Sequence, residues 1–252
     1  YEMQRSLVGS EMCIRDRRMD FSRIQDFDMQ LLHVFNGSEN VWLDQMAMAL
    51  TSGWTWIPLY IVLFVVVIRN NEMMGQIALV VGGAVLCIFL ADGLVDGIIK
   101  PLAERCRPSS DPMFKYTVQV VDNMRLKSFS FCSAHAANTL SLAIFFSLLI
   151  RSKLVTWTLL LWSLVNSWTR LYLGVHYPVD ILCGLAIGAV VGVVVYLIYI
   201  RMYYRISPKI KYISNQYTST GYDYDDVDKI MTVVIFTLIM VVFYATCQMA
   251  HL

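Results

Sequence analysis

The stretch Thr169-Arg-Leu-Tyr-Leu-Gly-Val-His176-Tyr-Pro-Val-Asp180 places an arginine, a histidine and an aspartate between two long apolar runs. Ionisable residues at a membrane boundary cost free energy, so they indicate a functional site. His176 and Asp180 are four residues apart and share one face of a helical turn. A carboxylate in that position can fix the tautomer of an imidazole and make it a better nucleophile or base. Such a trio also occurs by chance, so the interpretation needs support from elsewhere in the chain.

That support comes from two stretches nearer the N-terminus. One is Lys100-Pro-Leu-Ala-Glu-Arg-Cys-Arg107-Pro108, in which six residues separate a lysine from an arginine followed by proline. The other is Phe131-Cys132-Ser133-Ala134-His135. Together the three stretches supply cations, a hydroxyl and two histidines, which are the groups that phosphate chemistry uses.

With these residues the chain resembles the type 2 phosphatidic acid phosphatase (PAP2) superfamily over about residues 40–200. That family has the ordered motifs KxxxxxxRP, PSGH and SRxxxxxHxxxD, and every charged and histidine position matches. The departures are Cys132 for proline, Ala134 for glycine and Thr169 for serine. The family glycine lets a backbone N–H approach phosphate, and alanine narrows the allowed dihedral angles. We expect Ala134 to be tolerated.

The resemblance implies a phosphate-binding set. Lys100, Arg107 and Arg170 would bind the phosphoryl group, the arginines as bidentate forks and the lysine as a point charge. Ser133 and the backbone N–H groups around Ala134 would add donors at a helix N-terminus, which favours anions.

The resemblance also implies the chemistry. His176 would attack phosphorus and form a phosphohistidine, and Asp180 would orient it. His135 would protonate the leaving group and then act as base toward water. Three cations take the place of a metal, so no metal or other cofactor is expected.

Composition predicts the fold class. Hydrophobic residues make up 57% of the 252 residues, charged residues only 15%, and the mean hydropathy is +0.56. These values and the long uncharged runs predict an all-α, polytopic membrane bundle of about six transmembrane helices. The predicted spans are 45–68, 73–99, 135–150, 154–172, 179–200 and 230–250. No basic tract indicates nucleic acid as a partner, and the oligomeric state is left open.

The chain divides into five predicted segments. Residues 1–18 resemble translated adaptor sequence and are interpreted as a non-native leader. An amphipathic interfacial segment, 19–44, precedes the catalytic membrane domain, 45–200. A polar cytoplasmic loop, 201–229, and a final transmembrane helix, 230–252, complete the chain.

Outside the motifs, lysine and arginine are more numerous on the side opposite to the motifs, so the positive-inside rule predicts an extracytoplasmic site.

Several other residues carry weaker predictions. Asp92 and Asp96 share a helical face with Lys100, and we expect both to pair with basic residues and not to act in catalysis. His33, on the amphipathic segment, is expected to be structural. Cys106 and Cys132 each adjoin a motif, which leaves a disulfide between them open.

Glycines recur every four residues in the fifth predicted span. Gly184, Gly188 and Gly192 predict a face of small residues for close helix packing, first within this chain. The other cations of the 100–134 loop are expected only to raise the local positive potential.

The substrate is expected to be a lipid phosphate, because a site at the mouth of a helical bundle can reach a headgroup while the tails stay in the bilayer. Similarity to bacterial undecaprenyl-diphosphate phosphatases makes undecaprenyl diphosphate our first expectation. Phosphatidylglycerophosphate, phosphatidic acid and lipid A phosphates remain alternatives. From other classes, a vanadate-dependent haloperoxidase-like enzyme and a non-enzymatic lipid-binding or transport protein are considered. Retention of His135, His176 and Asp180 favours an active phosphatase.

Overall fold

A computed structural model describes residues 22–126, 128–206 and 216–250 of the chain, and the regular elements in these ranges are helices. The predicted leader, 1–18, lies outside the described residues. The eight main helices are α1 Ser22–Phe35, α2 Val41–Thr51, α3 Ile57–Arg69, α4 Met74–Ala103, α5 Ala134–Ile150, α6 Lys153–Tyr172, α7 Pro178–Ile206 and α8 Tyr224–Ala250.

The predicted all-α membrane bundle is confirmed, whereas the number of six spans is not. Helices α4, α7 and α8 are long and apolar enough to cross a membrane, and α2 with Gly53–Arg69 could form a fourth span that is bent by 66°. The other two predicted spans are present as α5, a shorter apolar helix, and α6, whose polar positions lower its hydropathy. Both pack in the bundle.

The first predicted span, 45–68, is not continuous. The chain leaves the helix at Ser52 and turns through a 3-10 segment, Gly53–Trp56. Trp56 Nε1 donates to the carbonyl of Leu50 at 2.8 Å, and Thr55 Oγ1 donates to that of Ala49 at 2.6 Å. These bonds satisfy carbonyls that the break releases, which lets an irregular segment persist inside an apolar bundle.

The polar stretch predicted over 201–229 is shorter in the structure. Helix α7 continues to Ile206 and α8 begins at Tyr224. The described part of the connection folds back onto the α3–α4 turn, where the backbone N–H of Asp223 donates to the Asn70 side chain at 2.8 Å. Both helices are therefore longer than their apolar runs.

Helices α5 and α7 form the central contact, and glycine makes it possible. A Cβ atom on Gly184 would lie 2.5 Å from the carbonyl oxygen of Ser133, and one on Gly192 would lie 2.7 Å from that of Ser141. Gly188 is equally close to the backbone of Ala137. The predicted packing face is thus confirmed within the chain, and it brings the start of α5 against the start of α7.

Candidate active site

His176 lies in the turn between α6 and α7 with 2% of its surface exposed. Its Nε2 is 3.2 Å from Nη1 of Arg107, and its Nδ1 faces Oδ2 of Asp180 at 3.7 Å. Because a guanidinium group only donates, Nε2 is the acceptor, which assigns the ring proton to Nδ1. Burial lowers the pKa of His176 well below that of a free imidazole, although Asp180 acts in the opposite direction. The result is a neutral ring with a lone pair directed toward a cation.

The local sequence builds this turn. Gly174 has φ +65°, and a Cβ there would lie 2.5 Å from the side chain of Val118, so glycine suits the position both by conformation and by space. Pro178 begins α7, where a missing N–H costs no helical hydrogen bond. Asp180, in the first turn of α7, accepts a hydrogen bond from the N–H of Tyr177 at 3.0 Å. The helix start thereby fixes the carboxylate close to the imidazole.

Arg107 is held by three hydrogen bonds. Its Nε and Nη2 donate to the carbonyl and hydroxyl of Ser128 at 2.7 and 2.8 Å, and its Nη1 donates to the carbonyl of Val175 at 2.9 Å. Burial lowers the pKa of Arg107 to about 10, so the group keeps its charge at neutral pH. The fork is therefore preorganised beside His176.

Arg170 and Lys100 add two more buried cations. Arg170 donates from Nη1 to Thr51 Oγ1 at 2.7 Å, while its buried Nε has no hydrogen-bond partner. Lys100 Nζ is 2.6 Å from Asp96 Oδ1. In the part of the chain that the structure describes, neither Arg107 nor Arg170 pairs with a carboxylate, and the two repel each other. Buried, uncompensated positive charge is costly, so this arrangement favours an anion between the guanidinium groups.

The start of α5 closes the site from another side. Ser133 caps the helix, its hydroxyl accepting from Ala136 N–H at 3.4 Å, and its own N–H donates to the carbonyl of Asp180 at 3.0 Å. Ala134 is the first helical residue, so it has an ordinary helical conformation. His135 is exposed, and the charges of the three cations act on it. The eight predicted site residues are thus brought together at one end of the bundle.

Sequence reasoning missed part of the site. The hydroxyl of Ser130 donates to Asp180 Oδ2 and lies 3.5 Å from His176 Nδ1, so it bridges the pair. Arg105, which we expected only to raise the local potential, instead contacts Asp180 and Asp28 at 2.6 Å each. The only feature of the sequence that could have indicated a role for Arg105 was its position two residues before Arg107. Asp28 was assigned to the polar face of the amphipathic segment.

The weaker predictions have mixed outcomes. Asp96 pairs with Lys100 as expected. Asp92 instead accepts from the Asn138 amide at 2.7 Å, and no cation of the described residues pairs with it. Cys132 is a free cysteine, so the disulfide with Cys106 is not formed. His33 is exposed on α1.

Comparison with known proteins gives the family. Residues 81–204 match the model of the PAP2 superfamily. The chain is 37% identical over 166 residues to lipid A 4'-phosphatase of Bacteroides thetaiotaomicron, covering 66% of this chain and 73% of that protein. It is 33% identical over 179 residues to lipid A 4'-phosphatase of Porphyromonas gingivalis, covering 70% and 75%. Undecaprenyl-diphosphatase BcrC of Bacillus subtilis matches at 32% over 62 residues, covering 25% and 31%.

Two solved structures share the fold. The crystal structure of Aquifex aeolicus LpxE has a TM-score of 0.52 and 23% identity, covering 66% of this chain and 93% of that one. The PAP2-type phosphatidylglycerolphosphate phosphatase of Bacillus subtilis has a TM-score of 0.51 and 17% identity, covering 82% and 96%. The second of these is a transmembrane protein by name, which agrees with the long apolar helices found here.

Proposed function

Because the chain belongs to the PAP2 superfamily and is a membrane lipid phosphatase, we propose that it removes a phosphate from lipid A through a phosphohistidine on His176. The observation that carries the mechanism is the 3.2 Å contact between His176 Nε2 and Nη1 of Arg107. It identifies Nε2 as the unprotonated nitrogen, and a phosphate that takes over this Arg107 N–H would leave the Nε2 lone pair free to attack phosphorus.

Phosphate binding follows from the arrangement of the cations. Arg107 and Arg170 lie without carboxylate partners in the described chain, so a phosphate would neutralise both. Lys100 would exchange its contact with the exposed Asp96 for a phosphate oxygen. The N–H groups at the start of α5, from Ala134 onward, would point at the same anion with the favourable end of the helix dipole.

The reaction proceeds in two displacements. His176 Nε2 forms a bond to phosphorus while the ester P–O bond breaks, and the leaving oxygen takes a proton from His135. His135 then removes a proton from water, the hydroxide attacks phosphorus, and the P–N bond breaks to release inorganic phosphate. Asp180 stabilises the charge that develops on His176, with the Ser130 hydroxyl between them. The bound phosphate offsets the repulsion that the three cations exert on protonated His135.

Our first candidate substrate is now lipid A and no longer undecaprenyl diphosphate, because the comparisons with known proteins favour lipid A. The two relatives that this chain covers to about three quarters are named lipid A 4'-phosphatase, whereas the match to the undecaprenyl-diphosphatase spans 62 residues. We therefore assign the 4'-phosphate as the group removed. Undecaprenyl diphosphate is kept as the second candidate on the strength of that shorter match.

We also propose a location. The positive-inside distribution of lysine and arginine supports a bacterial inner membrane protein whose site faces the extracytoplasmic side. Cysteine labelling at Ser110, in the site loop, and at Glu72, in the α3–α4 turn, tests this in intact cells. Labelling of Glu72→Cys and not of Ser110→Cys would reverse the orientation.

The test of function is phosphate release in detergent with EDTA present. The panel holds lipid A, undecaprenyl diphosphate, phosphatidylglycerophosphate and phosphatidic acid, and the proteins are wild type, His176→Ala and the exposed-histidine control His33→Ala. We expect release from lipid A at the highest kcat/KM, mass loss of one phosphate from the 4' position, and loss in His176→Ala alone. Preference for another lipid would overturn the substrate, and full activity of His176→Ala would overturn the mechanism.

A further inference from the structure

Arg105 connects two carboxylates that lie far apart in the sequence. Its Nη1 is 2.6 Å from Asp180 Oδ1 and its Nη2 is 2.6 Å from Asp28 Oδ2. All three side chains are buried, with 3% or less of their surface exposed. The guanidinium carbon also stacks 3.9 Å above the ring of Tyr177. We propose that Arg105 and Asp28 are positioning residues, through which the amphipathic helix α1 sets the orientation of Asp180 toward His176.

The two oxygens of Asp180 have separate tasks in this arrangement. Oδ1 is held by Arg105, while Oδ2 accepts from Ser130 and from the N–H of Tyr177 and faces His176 Nδ1. A carboxylate can rotate about its Cβ–Cγ bond, so one oxygen must be fixed if the other is to face the imidazole consistently. Arg105 supplies that restraint at Oδ1, the oxygen that does not face His176.

Asp28 fixes Arg105 in turn. Its Oδ1 accepts from the N–H of Val179 at 3.1 Å, at the start of α7, and its Oδ2 binds Arg105. Next to Asp28 in the sequence, Met29 packs in one apolar cluster with Leu32 of α1 and Ile181 of α7. Helix α1 thus holds both the backbone next to Asp180 and the cation that binds it.

Charge and geometry make the assembly sensitive to single changes. Removing one member of a buried ion network leaves an uncompensated charge, whose neighbours rearrange to reduce the cost. Arg105→Lys would keep the charge and lose the two-pronged geometry that binds both carboxylates at once. Asp28→Asn would keep the acceptor for the Val179 N–H and lose the charge. These two variants separate charge from geometry.

The inference rests on the proposed role of His176, and its test does not depend on the lipid. In histidine-labelled protein, 15N NMR reports the tautomer of His176, which the His176→Asn spectrum assigns. We expect wild type to carry the proton on Nδ1, facing Asp180. Arg105→Lys and Asp28→Asn should show a mixture of tautomers, because a displaced Asp180 no longer accepts that proton and Arg107 Nη1 can release Nε2 while it keeps its bond to the Val175 carbonyl. The control Asp226→Asn, which removes another buried, ion-paired carboxylate at the far end of the bundle, should leave the tautomer unchanged.

Kinetics on the lipid that wild type hydrolyses best give the second readout. We expect kcat to fall about 30-fold in Arg105→Lys and about 10-fold in Asp28→Asn, with KM within about twofold, since phosphate binding is untouched. Arg105→Ala should regain activity in millimolar guanidinium and not in equal methylammonium. An unchanged tautomer together with kcat losses no larger than in Asp226→Asn would overturn the proposal. Absence of phosphate release from every lipid, with the tautomer shift intact, would instead overturn the proposed function.

Discussion

The two ends of the bundle treat buried charge differently. At the end remote from the motifs, Asp226 is buried and binds Arg69, Lys229 and Asn70, and 60% and 51% of the two cationic side chains remain exposed. We name this the Asp226 cluster. At the other end, the site cations Arg107 and Arg170 are themselves buried. One end satisfies a buried acid with cations that keep their water. At the other end Arg105 is paired with two buried acids, but Arg107 and Arg170 are removed from water without a carboxylate partner in the described chain.

The difference teaches what each cluster is for. A buried acid surrounded by exposed cations joins the α3–α4 turn to the start of α8 and needs no ligand. Buried cations in excess are unfavourable until an anion binds, which is the property that the proposed phosphate site requires. Arrangements that cost stability, such as buried charge without a partner, are expected at functional sites.

The largest effect on kcat/KM is expected from removing an arginine at the site end, compared with the same substitution at the opposite end. Arg107→Ala should lower kcat/KM at least about 1,000-fold, because it removes a proposed phosphate ligand and the partner of His176 Nε2. Arg69→Ala removes a cation of the Asp226 cluster and should change kcat/KM less than about twofold. Phosphate release by both purified variants checks this. Comparable losses in the two would remove the distinction drawn between the ends.

A helix-contact substitution should have an intermediate effect. In Gly184→Val the new side chain would collide with the Ser133 carbonyl, pushing the start of α5 from α7 and separating Ser133 from Asp180. We expect kcat/KM to fall about 30-fold and Tm to drop, as overpacking costs about 1–3 kcal/mol. Gly82→Val is the control, because nothing lies within 4 Å of a Cβ at Gly82. Equal behaviour of the two valine variants would show that the glycine face does not position the site.

Lowering the pH should lower the stability of the folded protein through protonation of His176. Because burial lowers the pKa of His176 in the folded protein, the unfolded chain binds the extra proton below about pH 6.5. Stability contributed by the neutral ring is thus present above pH 6.5 and declines on acidification, by up to about 1.4 kcal/mol per pH unit. Thermal unfolding at pH 7.5 and 5.0 should show a larger loss in wild type than in His176→Asn. Parallel losses in both proteins would mean that His176 is protonated in the folded state.

The smallest effect is expected where the chain departs from the family motif. Ala134 begins α5 in a helical conformation that alanine and glycine both adopt, so Ala134→Gly should keep or slightly raise turnover, within about twofold. Turnover and Tm of this variant, beside those of Thr232→Ala on exposed α8 surface near the Asp226 cluster, give the measurement. A large loss of turnover in Ala134→Gly would show that the start of α5 contacts phosphate in a way that alanine improves.

The sequence by itself determined the class of fold and, through its resemblance to the PAP2 motifs, the class of enzyme. We predicted the site residues because they stand at the positions of motifs that resemble those of the family, and spacing within a motif is a local property of the chain. They are Lys100, Arg107, His135, His176 and Asp180. The membrane bundle was predicted because long apolar runs permit few other structures. The glycine face was predicted since a four-residue period is also a local property.

The tertiary structure decided what depends on contacts between distant residues. Arg105 binds Asp28, which lies 77 residues earlier in the sequence. Arg170 binds Thr51, which lies 119 residues earlier and next to the helix break at Ser52, a break that hydropathy does not reveal. Nothing in the local pattern distinguishes an arginine that binds phosphate from one that binds a carboxylate. That choice is made by which partner the packed helices bring within hydrogen-bond distance, and by whether water can still reach the charge.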